Sequence, residues 1–87
     1  MGIGMQVPVS GGTVSRRDGL SFGGSNHFPP TDTKPERIIV SLWDGESNEQ
    51  KFELSVGATL EFSGQTWRLD EIDDGGRRWY ATLTRIA

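Results

Sequence analysis

The fold is decided by residues 58–70, ATLEFSGQTWRLD, in which apolar and polar side chains alternate on both sides of a short turn. Leu60 and Phe62 share one phase before the turn, and Trp67 and Leu69 share one phase after it. A period of two residues is typical of a strand with one buried face, whereas an amphipathic helix has a period of 3.6. The stretch therefore predicts two antiparallel strands joined by a tight turn.

The same period continues on both sides of this hairpin, and no segment has the pattern of a helix. Ile72 is out of phase with Trp67 and Leu69, which predicts a β-bulge near Glu71. In the last strand, the same alternation places Trp79, Ala81 and Leu83 on the core side. We predict five antiparallel strands that form a meander, over residues 36–43, 50–55, 58–62, 66–70 and 77–86.

The N-terminal third has a different composition, because residues 1–35 contain all four prolines and seven of the twelve glycines. We expect residues 1–22 to add one or two strands, through Met5–Val9 and Gly19–Phe22, that pack on the core as a second layer. The glycines and prolines of residues 23–35 predict a long loop or a disordered tether. Residues 36–87 are predicted to form the meander core. The predicted fold is all-β: a small antiparallel meander with one or two N-terminal strands, in a partly open barrel or a sandwich.

Composition excludes several classes of protein. The 87 residues include no cysteine, which leaves neither a disulfide framework nor a thiolate metal site. No apolar run is long enough to span a bilayer or to act as a secretion signal, so we expect a cytoplasmic protein without a membrane partner. The net charge of −3 argues against nucleic-acid binding, although Arg16-Arg17 and Arg77-Arg78 are basic pairs.

The residues that could support catalysis or metal binding are few. His27 is the only histidine, and its place in the Gly/Pro-rich segment predicts a solvated side chain rather than a general base. Asp70, Glu71, Asp73 and Asp74 could bind a hard cation, but their position before Gly75-Gly76 is typical of a hairpin end. The pairs Gly11-Gly12 and Gly23-Gly24 precede no helix, which predicts turns or spacers rather than a phosphate loop. We expect no catalytic residue, no metal and no cofactor.

The residues predicted to face away from the core are more informative about function. Arg37, Ile39, Trp43, Arg68 and Tyr80 combine aromatic, aliphatic and guanidinium groups, which are typical of a protein-contact surface. We therefore predict a non-enzymatic binding module whose partner is another protein or a second copy of this chain, as in a homodimer. An alternative is that the N-terminal segment covers Ile39 and Trp43.

A second alternative is a barrel that encloses a small apolar ligand, with catalysis by enclosure alone. Single-stranded nucleic-acid binding is a weaker third alternative. The side chains that would line such a barrel are Phe62, Trp67, Trp79 and Leu83.

Residues 54–72 and 79–86 carry a recognisable pattern of turn glycines and core aromatics. Val56-Gly57 and Thr59 are followed by a short strand, and Gly64 precedes Trp67-Arg-Leu-Asp70 after two residues. This pattern resembles short actinobacterial proteins that are grouped as a domain of unknown function. The resemblance implies a compact all-β bacterial protein, and it implies no catalytic residue.

Overall fold

A computed structural model describes residues 3–17, 19–45, 48–74 and 78–87, and it confirms the all-β class. These residues form no helix. The five strands predicted after residue 35 are all present. The strands are β1 (Gln6–Ser10), β2 (Val14–Arg17), β3 (Leu20–Phe28), β4 (Arg37–Trp43), β5 (Glu49–Leu54), β6 (Thr59–Phe62), β7 (Gln65–Asp74) and β8 (Trp79–Arg85).

The strands form two antiparallel four-stranded sheets that pack as a sandwich. One sheet has the order β1-β8-β7-β6 and the other has the order β2-β3-β4-β5. The prediction of one continuous five-stranded meander is wrong in this respect, because β5 and β6 belong to different sheets. The chain crosses between the sheets at residues 55–58, where Gly57 has a φ of 93°, a conformation that glycine adopts without strain.

The N-terminal third does not form a layer of its own. It contributes three strands rather than one or two, and they extend both sheets: β1 pairs with β8, while β3 pairs with β4 and carries β2 on its other edge. The strand that the prediction missed is β2, whose polar sequence VSRR has no apolar alternation. The dipeptide Asp18-Gly19, a common hairpin turn, is the sequence signal that could have revealed it.

The predicted loop over residues 23–35 is wrong for residues 23–28, which continue β3. A β-bulge between Gly24 and Asn26 interrupts the pairing of β3 with β4. Pairing resumes with Asn26 opposite Ile39 and His27 opposite Ile38. Since Ile38 is fully buried, the bulge turns the side chain of His27 toward the interior.

The two sheets are joined along one side, where the chain bends between β1 and β2. Gly12 donates a backbone hydrogen bond to the carbonyl of Gly24, and Gly24 donates one to the carbonyl of Thr13. A Cβ on Gly24 would lie 2.1 Å from the carbonyl oxygen of Ser10, and one on Gly11 would lie 2.8 Å from the indole nitrogen of Trp79. Gly11 and Gly24 are therefore needed for this close approach, and Gly24 is not a spacer.

The core lies between the sheets and consists of the side chains whose phase predicted burial. Trp67 is fully buried and packs edge-on against Phe22, with ring centroids 4.9 Å apart. Trp79, Ala81 and Leu83 are buried as predicted. The predicted bulge is confirmed, because the pairing of β7 with β8 shifts between Leu69 and Glu71.

The predicted tight turn between β6 and β7 is also confirmed. Ser63 and Gly64 both have positive φ, of 54° and 77°, as a two-residue type I′ hairpin requires. The hairpin loop predicted before β8 is described only in part: Asp73 and Asp74 end β7, and residues 75–77 lie outside the described residues.

Candidate functional site

The five residues predicted to form a contact surface lie on two different faces of the sandwich. Arg37, Ile39 and Trp43 lie on β4 and point away from the core, on the outside of the β2-β3-β4-β5 sheet. Arg68 on β7 and Tyr80 on β8 lie on the outside of the other sheet. The structure therefore brings the first three together and separates them from the other two.

The outer surface of the β2-β3-β4-β5 sheet is called here the β2–β5 face. The strand registers show which residues are neighbours on this face. Ile39, Ser41 and Trp43 of β4 each have an outward neighbour on β3 and on β5, and the two outward residues of β2 complete two of the rows. The first row contains Arg16, Ser21, Trp43 and Glu49; the second contains Val14, Gly23, Ser41 and Lys51; the third contains Asn26, Ile39 and Glu53.

Two large apolar side chains on this face are exposed to solvent. Val14 is 68% exposed and Trp43 is 42% exposed. Ser21 and Gly23 lie beside them on β3, and Ser21 is only 8% exposed, so neighbouring atoms already cover it. Trp43 and Val14 are therefore the large apolar side chains that stand out from this part of the face.

Sequence reasoning identified Trp43 and Ile39 but missed Val14, Ser21 and Gly23. It could not place these residues on the same face, because β2 was not predicted and Gly23 was assigned to a loop. The hairpin signal at Asp18-Gly19 would have placed Val14 beside Gly23.

The N-terminal strands do not cover this face. β3 lies beside β4 in the same sheet and β2 lies beside β3, so both strands extend the face. The alternative in which residues 1–35 cover Trp43 does not hold for the described residues, because the indole remains 42% exposed. Ile39 is partly buried among its neighbours in the sheet.

Charged groups occupy the two sides of the β2–β5 face. On the β5 side, Glu49 accepts a hydrogen bond from the hydroxyl of Ser41 at 2.9 Å, and Glu53 lies 2.7 Å from the Nε of Arg37. The guanidinium of Arg37 also lies over the ring of Phe28, 4.6 Å from its centroid. On the β2 side, Arg16 and Arg17 are both exposed, and the register places Arg16 on this face.

The opposite face is polar and is bonded within itself. Asp70, the residue at the bulge, accepts hydrogen bonds from the Nε of Arg68 and from the hydroxyl of Thr84. The hydrogen bond from Thr84, and then the hydrogen bond and charge of Arg68, lower the pKa of the Asp70 carboxyl below its usual range. Tyr80 is 51% exposed and stands opposite Asp73.

His27 is not the solvated loop residue that the sequence predicted. It lies on β3, and its side chain is only 11% exposed. The Nε2 atom lies 2.7 Å from a carboxylate oxygen of Glu36, and the ring stacks on Trp79 with centroids 6.2 Å apart. This cluster connects β3 of one sheet to β8 of the other, so it closes one end of the sandwich.

A cleft of about 500 Å³ opens on the side where the edge strands β5 and β6 meet. Three carboxylate side chains and the ring of Phe62 contribute to its lining. Of the four residues predicted to line a barrel interior, only Phe62 borders this cleft, while Trp67, Trp79 and Leu83 pack in the core. The cleft is lined by Asp44, Asn48, Glu49, Gln50, Glu61, Phe62 and Ser63.

Metal-binding and membrane-spanning features were also sought. Within the described ranges, no group of three or more histidine, aspartate or glutamate side chains is arranged to hold a metal ion. The same part of the chain has no helix with the length and hydropathy that crossing a bilayer requires. Asp70 is instead engaged by Arg68 and Thr84.

Comparison with known proteins identifies the family but assigns it no activity. The model of a family of unknown function, DUF6406, matches residues 4–87, which is nearly the whole chain. The chain therefore belongs to this family. Neither the curated proteins nor the solved structures include a significant match.

Proposed function

Starting from membership of a family without an assigned activity, we propose that this protein is a non-enzymatic binding module that recognises a protein through its β2–β5 face. The observation that supports this function is the exposure of Trp43 and Val14 beside the small residues Ser21 and Gly23. Tryptophan, tyrosine and arginine are the residues that contribute most often to binding energy at protein interfaces.

The side chains on the two outer faces differ, and the difference favours binding at the β2–β5 face. On the opposite face, the Arg68, Asp70 and Thr84 side chains bond to one another. Tyr80 is the large exposed side chain there, and the strand register places it opposite Asp73. On the β2–β5 face, two apolar side chains face solvent, and covering them with a partner removes apolar area from water.

Site-specific photocrosslinking in cells that express the protein tests this proposal. A photoreactive phenylalanine analogue replaces Trp43 in one variant and Tyr80 in the matched control, since both are exposed aromatic residues on opposite faces. We expect a defined protein adduct from position 43, identified by mass spectrometry, and none from position 80. Adducts from position 80 alone, or from neither position, would contradict the proposal.

A second candidate function, binding of a small molecule, is favoured by the cleft between β5 and β6. Its volume of about 500 Å³ lies within the range of ligand pockets. Native mass spectrometry of the purified protein tests this alternative, with Glu61→Gln as the variant because Glu61 lines the cleft from an exposed position. A bound molecule that is lost in this variant supports the alternative, and an unliganded mass in both proteins removes it.

Two finer expectations belong to the same proposal. The pattern ending in Trp67-Arg-Leu-Asp70 supports an actinobacterial source. The absence of cysteine is compatible with a reducing compartment and supports a cytoplasmic location. Fractionation of the source cells tests the location, and recovery outside the cytoplasm would overturn it.

A further inference from the structure

We infer that the partner of the β2–β5 face is a second copy of this chain, related by a twofold axis that runs along the strands between β3 and β4. This inference rests on the proposed function and names its partner. It is argued from the strand registers, which fix which side chains meet when two copies of the face are placed against each other.

A twofold axis along the strands exchanges the two sides of the face. β4 of one copy then lies over β3 of the other, and β2 lies over β5. Aligned packing of this kind is the common arrangement of two sheets face to face. Such an interface is isologous, so every contact occurs twice.

The sizes of the side chains are complementary under this operation. In the first row, Trp43 meets the partner's Ser21, so the largest side chain meets a small one. In the second row, Ser41 meets the partner's Gly23, which lets the two sheets approach closely. The exposed part of each indole therefore packs over β3 of the other copy, where the residues in these two rows are small.

The charges are complementary as well. Arg16 occupies the β2 end of the first row and Glu49 occupies the β5 end, with Ser21 and Trp43 between them. The operation places Arg16 against the partner's Glu49 twice in each dimer. In the second row, it brings the exposed Val14 against the aliphatic stem of the partner's Lys51.

The size of the face predicts the strength of the dimer. Four strands spaced roughly 4.8 Å apart, with about seven residues of roughly 3.3 Å each, give a face on the order of 400 Å² per copy. This area is at the low end for specific interfaces, so we expect a dissociation constant in the range of about 10 to 100 μM. The dimer forms at high protein concentration and dissociates on dilution.

Charge reversal tests the inference, with sedimentation velocity at low salt as the measurement. Arg16→Glu alone creates two repulsive pairs in its homodimer, and so does Glu49→Arg alone. We expect each variant to raise the dissociation constant by about tenfold or more. Mixing the two variants restores attraction at both symmetry-related contacts, so the mixture forms a heterodimer with nearly native affinity. Tyr80→Ala, on the opposite face, is the control and leaves the native dimer unchanged.

The outcomes separate this inference from the proposed function. A native protein that stays monomeric up to ~1 mM, or a mixture that stays as weak as its components, overturns the twofold arrangement. If position 43 then crosslinks a different protein, the binding function stands and only the second copy is wrong. If position 43 crosslinks nothing and the protein is monomeric, both are wrong.

Discussion

The two outer faces of this sandwich are built by the same rule of alternation, and each exposes an aromatic residue, Tyr80 on one and Trp43 on the other. The residues around these aromatic side chains differ. The face of the β1-β8-β7-β6 sheet bonds its polar groups to one another through Asp70, Arg68 and Thr84. The β2–β5 face leaves Trp43 and Val14 in water. A stable fold needs only the inner faces to be apolar, and the proposed binding belongs to the face that exposes Trp43 and Val14.

The largest loss of stability is expected at Gly24, where the two sheets are joined. Gly24→Ala places a Cβ 2.1 Å from the carbonyl oxygen of Ser10 and 2.9 Å from the indole of Trp79. The backbone of Ser10 would have to move to relieve this overlap, and such a shift costs stability. We expect a loss of unfolding free energy of about 3 kcal/mol or more. Urea denaturation followed by tryptophan fluorescence measures it.

The matched control is Gly23→Ala, one residue earlier on the same strand. Its Cβ would point to the β2–β5 face and meet nothing closer than 3.8 Å. We expect unchanged or slightly greater stability in this variant. Equal stability of the two variants would show that the close approach at Gly24 is not required.

A smaller effect is expected at His27, which connects the sheets at one end. His27→Ala removes the hydrogen bond to Glu36 and the ring that stacks on Trp79. We expect a loss of about 1–2 kcal/mol in unfolding free energy. Asn26→Ala, an exposed neighbour, is the control; if it destabilises the protein equally, His27 has no special role.

The polar face predicts a pH dependence of stability through Asp70. The pKa of Asp70 is lower in the folded state than its usual value in the unfolded state, which is near 3.9. The charged carboxylate of Asp70 therefore contributes its full stabilisation at pH values above this unfolded-state pKa. The contribution is lost as the pH falls through the folded-state pKa. Asp70→Asn should therefore lower the urea midpoint at pH 7 and differ least from the native protein at the lowest pH tested. Thr84→Val should reproduce part of this loss, because it removes the first cause of the lowered pKa. A constant difference at all pH values would contradict this explanation.

The smallest effect on stability is expected at Trp43. Its indole is 42% exposed, so Trp43→Ala leaves the inner core intact. At low micromolar concentration, where we expect the proposed dimer to be dissociated, the unfolding free energy should fall by less than about 1 kcal/mol. An unchanged far-ultraviolet circular dichroism spectrum is the accompanying check. Unfolding of this variant would instead make Trp43 a core residue.

Period-two alternation predicted the five strands after residue 35, their buried sides and the bulge near Glu71. The alternation did not predict the features that depend on backbone geometry or on which strands pair with each other. Nothing in Leu54-Ser-Val-Gly57 shows that the chain leaves one sheet for the other. Gly23 and Gly24 suggested a loop because the sequence does not show that the backbone of Ser10 and the ring of Trp79 approach Gly24 closely.

For the same reason, only part of the candidate site could be predicted from the sequence. Trp43 and Ile39 follow from the phase of β4 alone. Assigning Arg68 and Tyr80 to the same surface required knowing which strands share a sheet, and that information lies in long-range pairing. His27 is buried because of the β-bulge between Gly24 and Asn26, and the local sequence of β3 does not predict this bulge.

Backbone NMR spectra recorded as the protein is concentrated test the central claim most directly, because they report every strand at once. We predict that amide shifts change in β2, β3, β4 and β5, with the indole NH of Trp43 among the largest, while Tyr80 and its neighbours on β7 and β8 stay in place. Shifts centred on Tyr80, or spread evenly over both faces, would contradict the assignment of association to the β2–β5 face.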